Sequence, residues 1–78
     1  MARLEYDRGA DAVYIYLWDV PYAYGCDLDD DRRIDYGTDN APRGIELLAV
    51  SHGVNLDDLP EREEIAALLA QHHLKVYA

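Results

Sequence analysis

The chain has 78 residues, sixteen acidic side chains against seven basic ones and a formal net charge of −9, which makes it one small acidic domain with no room for a second hydrophobic core. That balance argues against nucleic acid, whose phosphates require a clustered basic surface, and disfavours an anionic membrane; the single cysteine, Cys26, excludes an internal disulfide. With no apolar run at the N-terminus and no window approaching the ~20 apolar residues of a membrane helix, the expected setting is the cytoplasm.

Arg3 to Tyr6 reads as a first strand, followed by a turn at Asp7-Arg8-Gly9-Ala10-Asp11, where aspartates can close Asx turns. Ala12 to Trp18 is rich in β-branched and aromatic residues and forms the second strand. Pro21 breaks the pattern, as a proline does at a strand boundary. Tyr22 to Leu28, Arg32 to Tyr36 and Arg43 to Val50 follow as strands three to five, separated by Asp29-Asp30-Asp31 and by Gly37-Thr38-Asp39-Asn40-Ala41-Pro42. The hydrophobic pattern then selects a register, because opposed residues share a face. Pairing Tyr6 with Val13, Leu4 with Ile15, Ile15 with Cys26, Cys26 with Ile34 and Ile34 with Ile45 yields one continuous apolar face and a meander. Asn55 can cap a short turn through Leu59, Pro60 suits a first helical position, and Glu61, Glu63 and Glu64 sit where the helix dipole favours acids. Ile65, Leu68, Leu69 and His72 form one helical stripe. Leu74 to Tyr77 alternates again and can return as a short edge strand. The fold class expected is therefore α+β, an antiparallel five-stranded meander with one C-terminal helix on one face, in a single domain spanning residues 1–78.

Tyr6-Asp7, Ala10-Asp11-Ala12-Val13-Tyr14-Ile15, Ile34-Asp35-Tyr36 and Gly44-Ile45-Glu46-Leu47-Leu48 occur in this order, and the series resembles the small prokaryotic family catalogued as domain of unknown function 2283. The resemblance covers about residues 2–50. It implies a compact β-rich domain of bacterial type and carries over no catalytic residue.

Several residues invite chemistry. The run Asp27-Leu28-Asp29-Asp30-Asp31 holds carboxylates that suit calcium, but it lacks the alternate spacing, the central glycine and the closing glutamate of an EF-hand, so a solvated hairpin tip is expected. His52, His72, His73 and Cys26 are zinc-ligand types without zinc spacing. No metal or other cofactor is expected. Cys26 with a histidine could form a nucleophile–base pair, yet the register puts Cys26 in the core, where a cysteine is a small inert hydrophobe. Asp7 and Asp11 could act as paired carboxylates, although closing the turn explains them without catalysis.

Tyr14, Tyr16 and Trp18 alternate with Val13, Ile15 and Leu17, so the second strand is apolar on both faces and one helix covers only one of them. A chain this short hides only about 60–65% of its unfolded surface, and extra burial is welcome. The reading that follows is a non-enzymatic interaction or structural module, self-associating as a homodimer through Tyr14, Tyr16 and Trp18. Two alternatives stand beside it. One is an acidic, antitoxin-like partner of a basic protein; the other is a small-ligand binder or enzyme using Asp7, Asp11 and the tyrosines.

Overall fold

The computed structural model describes residues 2–77. It contains the five antiparallel strands and the single helix that the alternation patterns predict: β1 (Arg3–Asp7), β2 (Ala12–Tyr16), β3 (Tyr22–Asp27), β4 (Arg32–Gly37), β5 (Pro42–Leu48) and α1 (Arg62–Gln71). Two very short strands, β6 (Val54–Asn55) and β7 (Val76–Tyr77), pair in parallel as a separate small sheet. The alternation at Leu74–Tyr77 thus does make a strand, but its partner is β6 and not the main sheet.

The strand order is β1-β2-β5-β4-β3, so the sheet is not the simple meander that short connections suggested. Three of the four expected strand pairings are present, with Leu4 opposite Ile15 and Tyr6 opposite Val13 in the first, Cys26 opposite Ile34 in the second and Ile34 opposite Ile45 in the third. The pairing of the second strand with the third is replaced by β2 with β5, which sets Val13 against Leu47 and Ile15 against Ile45. The reason is apolar content. These four side chains are at most 1% exposed, and a position flanked by strands on both sides goes to the segments with most to bury. The chain can reach this arrangement because Leu17–Pro21 crosses one end of the sheet. Three strand spacings of about 4.8 Å separate β2 from β3, and the stretch from Tyr16 to Tyr22, which can reach about 3.5 Å per residue, spans that distance with length to spare. Along the crossing the amides of Leu17 and Trp18 both donate to the Arg43 carbonyl, Arg43 Nε donates to the Val20 carbonyl, and Thr38 donates to the Pro21 carbonyl.

On the covered side, Ile65 and Leu69 of α1 are fully buried in one cluster with Val13, Ile15, Ile45 and Leu47. Leu68 and His72 complete the stripe half-buried, His72 meeting the Tyr6 ring edge-on at 6.2 Å. The helix begins two residues later than Pro60 suggests, after Glu61 in a left-handed conformation, while Asn55 accepts the Asp57 amide and closes its turn as expected. Val54, Leu56 and Leu59 close the remainder of the core. No helix among the described residues is long and apolar enough to cross a membrane.

Placing β3 at the edge changes the environment of Cys26. The register had it in mid-core, opposite Ile15; it is exposed, because no strand flanks β3 on its outer side and β2 lies three positions away. Tyr24 is exposed for the same reason and stacks on half-buried Tyr36 at 5.1 Å. The native Cys26 thiol should therefore react with a thiol reagent within about tenfold of the rate of an unfolded control. Protection by several orders of magnitude would place β3 elsewhere.

Candidate functional site

Opposed residues of antiparallel strands share a face, so the strand register lays out the uncovered side of the sheet in rows. One row runs Arg3, Tyr16, Gly44, Asp35, Gly25 from β1 to β3. The next runs Glu5, Tyr14, Glu46, Arg33, Asp27. A third, shorter row holds Asp7, Ala12 and Leu48.

The two glycines explain how long side chains lie flat. A Cβ on Gly44 would collide with the ring and hydroxyl of Tyr14, and a Cβ on Gly25 would collide with the guanidinium of Arg33. Each glycine is a slot through which a neighbour from the adjoining row leans across the backbone. The two leaning groups meet at Asp35: the Tyr14 hydroxyl donates to Oδ2 at 2.8 Å and Arg33 Nε donates to Oδ1 at 3.1 Å. Arg33 continues outward, donating to Asp27 at 3.2 Å and to the Tyr22 hydroxyl at 3.3 Å. On the other edge, Arg3 donates to Glu5 at 2.9 Å and sits 3.9 Å over the Tyr16 ring, whose hydroxyl also donates to Glu5 at 3.0 Å. Tyr14 and Tyr16 touch edge-on at 4.7 Å and join the two halves. Polar and aromatic contacts thus span all five strands.

Burial, and then the Asp35 carboxylate accepting its proton, push the Tyr14 hydroxyl up to about 12. The native state holds that proton more tightly than the unfolded chain does. Its contribution to stability is complete below a tyrosine's ordinary value of 10.0 and is lost as pH climbs from there to about 12.

Of the three expected interface rings, Tyr14 and Tyr16 lie together on this face, half-buried and flat. Trp18 lies past the end of β2, 57% exposed, its indole N–H donating to Asp39 at 2.9 Å. A shallow depression bordered by Arg3, Tyr16, Trp18 and Arg43 links it to the face. Glu46 occupies the middle of the central strand, exposed, and accepts no hydrogen bond among the described residues. Arg33, Asp35, Gly25, Gly44 and Glu46 were not singled out as site residues from the sequence. Gly44 and Glu46 were visible only as part of the Gly-Ile-Glu pattern, and their meaning depends on which strand lies beside β5.

Asp7 and Asp11 are not brought together on a common target. Asp7 accepts the Ala10 amide and closes the first turn, whereas Asp11 accepts the Ser51 amide at 2.9 Å and the Ser51 hydroxyl at 2.7 Å. In the aspartate loop, Asp29 accepts the Asp31 amide and the Arg32 guanidinium, which hold its carboxyl below the usual range. Among the described residues no three His, Cys, Asp or Glu side chains are grouped so as to hold a metal ion.

Residues 3–51 match the family described as protein of unknown function (DUF2283), and the chain belongs to that family. The matched stretch holds all five strands and the face built on them, and it ends at Ser51, the residue Asp11 pins. No curated protein and no solved structure matches the chain.

Two outcomes follow from the flat packing. Gly44→Ala should lose about 1–3 kcal/mol by displacing Tyr14, and combining it with Tyr14→Ala should lose less than the two losses added, since the second change empties the contested space. In protein carrying ζ-carbon-labelled tyrosine, Tyr14 should titrate near 12, and Asp35→Asn should bring it down towards 10.0. A midpoint unmoved by that substitution would separate Tyr14 from Asp35.

Proposed function

We propose that this member of a family of unknown function is a non-enzymatic interaction module whose docking surface is the uncovered face of the five-stranded sheet. The observation that carries the reading is the flat layer of hydrogen-bonded side chains spanning all five strands with no layer of described residues over it. Tyrosine rings held by Glu5 and Asp35, and guanidiniums stacked on a ring or laid over a glycine, have already lost their rotamer freedom. A partner that lands on them avoids most of the roughly 0.5–1.5 kcal/mol per side chain that ordering at an interface costs, and rigid tyrosines supply contact area with hydroxyls at its rim.

The same contacts weigh against catalysis. Asp7 and Asp11 serve separate turns, and the hydroxyls of Tyr14 and Tyr16 are each committed to a carboxylate. No convergent nucleophile, base and oxyanion donor stands among the residues singled out.

A photo-crosslinking amino acid placed at position 46 or 48, on the open face, should trap adducts of discrete mass in the protein's native cells, while the same group at position 63 on the exposed side of α1 should not. An adduct at twice the chain's 8.9 kDa would make the partner a second copy. Adducts from position 63 alone, or from none of the three, would overturn the reading.

A further inference from the structure

Taking the open face as the docking surface, on which this step rests, we infer that its occupant is a basic, amphipathic segment of another protein. The argument is charge complementarity at the centre of the face and along its third row, from Asp7 on β1 to Leu48 on β5. The cations near the face are already engaged: Arg3 on Glu5 and Tyr16, Arg8 over the Tyr6 ring at the border of the Asp7 depression, Arg33 on Asp35, Asp27 and Tyr22, Arg32 on Asp29 and on the carbonyls of Asn55 and Asp57, and Arg43 on the Val20 carbonyl. The carboxylates are not. Glu46 in mid-face, and Asp30 and Asp31 beside it, accept no side-chain hydrogen bond among the described residues, and Asp7 uses only one oxygen. Glu46 forms the shared wall of two shallow depressions, one reaching Asp7 and the other reaching Asp30, Asp31 and Leu48. Leu48, 40% exposed, lies two residues from Glu46 on the same face, next to half-buried Ala12. An apolar spot ringed by unpaired carboxylates fits a segment with an apolar stripe and flanking lysines or arginines.

A second copy fits less well. In a two-fold packing centred on this face, with the axis along the central strand β5, Glu46 would meet its own counterpart and two unpaired carboxylates would be pressed together. The face is also small. Five strands and five residues give a face of roughly 20 Å by 17 Å in plan, a footprint that suits one segment of chain better than a whole subunit.

The test uses the full chain and a fourteen-residue helical peptide with a leucine stripe flanked by lysine and arginine, together with its counterpart carrying glutamate at every basic position. The basic peptide should bind and shift the amide resonances of Glu46, Leu48 and Tyr14. Glu46→Lys should weaken it by about tenfold or more, Glu46→Gln by a smaller factor in the same direction, and Glu63→Lys by less than about threefold. The acidic helix start at Glu61, Glu63 and Glu64 is the internal control, because it carries comparable charge without an open sheet. The inference is overturned if resonances there shift most, if Glu46→Lys and Glu63→Lys weaken binding equally, or if the acidic peptide binds as tightly. An adduct from position 46 with an acidic protein or a second copy overturns it too, while leaving the docking face in place.

Discussion

Val13 and Ile15 of β2 lie directly across from Leu47 and Ile45 of β5, and both sides of the sheet depend on that pairing. On the covered side it puts the four least exposed strand residues under Ile65 and Leu69. On the open side the same alignment fixes Tyr14 opposite Glu46 and Tyr16 opposite Gly44. Because side chains alternate with period two, a register that buries one set cannot help aligning the other. The open face is in this sense dictated by the core. A one-residue slip between β2 and β5 would expose Ile15 and, in the same movement, take Tyr14 off Asp35.

The glycines carry a constraint of a different kind. Both Gly25 and Gly44 have side-chain atoms lying where a Cβ would be, and neither has a turn or a positive φ to explain it. A glycine inside a strand is unfavourable by roughly 0.5–1 kcal/mol relative to alanine. Here that is offset by hydrogen bonds to an ionised carboxylate, worth about 1.5–3 kcal/mol each where solvent is held away; Asp35 receives two of them, and its side chain is only 14% exposed. The balance favours the flat layer, and it ties Asp35 and both glycines into one unit across β3, β4, β5 and β2.

Local pattern carried much of this architecture. Period-two runs gave five strands, the stripe Ile65, Leu68, Leu69, His72 gave the helix, and neighbouring hairpins gave the registers of β1 with β2, β3 with β4 and β4 with β5. What local pattern could not carry was the choice of partner for β2. A short connection favours adjacency, and both β3 and β5 offered an apolar residue opposite Ile15, Cys26 in one case and Ile45 in the other. The deciding quantity is apolar area. Opposite Val13 and Ile15, β5 offers Leu47 and Ile45 where β3 would offer Leu28 and Cys26, and an isoleucine buries more apolar area than a cysteine. Weighing those areas would have favoured β5, and with it an exposed Cys26. The open-face tyrosines were readable from alternation alone. Asp35 was not, because it meets Tyr14 only across β5, which sequence order does not place beside β2.

The placement of charge follows from the same geometry. An edge strand has room for ion pairs along its outer side, and both edges of this sheet use it: Arg3 with Glu5 on β1, and Arg33 reaching Asp27 on β3. The central strand has no such room, since its neighbours on either side are Tyr14 and Arg33 and both lean away towards Asp35. Glu46 is left exposed to bulk water in the middle of the sheet and accepts no hydrogen bond among the described residues. In the isolated domain that is the comfortable state for an exposed carboxylate. Any layer that covers the face must replace that water, and an apolar or acidic layer would strand the charge at a cost of several kcal/mol. Only a donor or a cation delivered to mid-face avoids that penalty, so one residue on one strand restricts what can sit on the whole sheet.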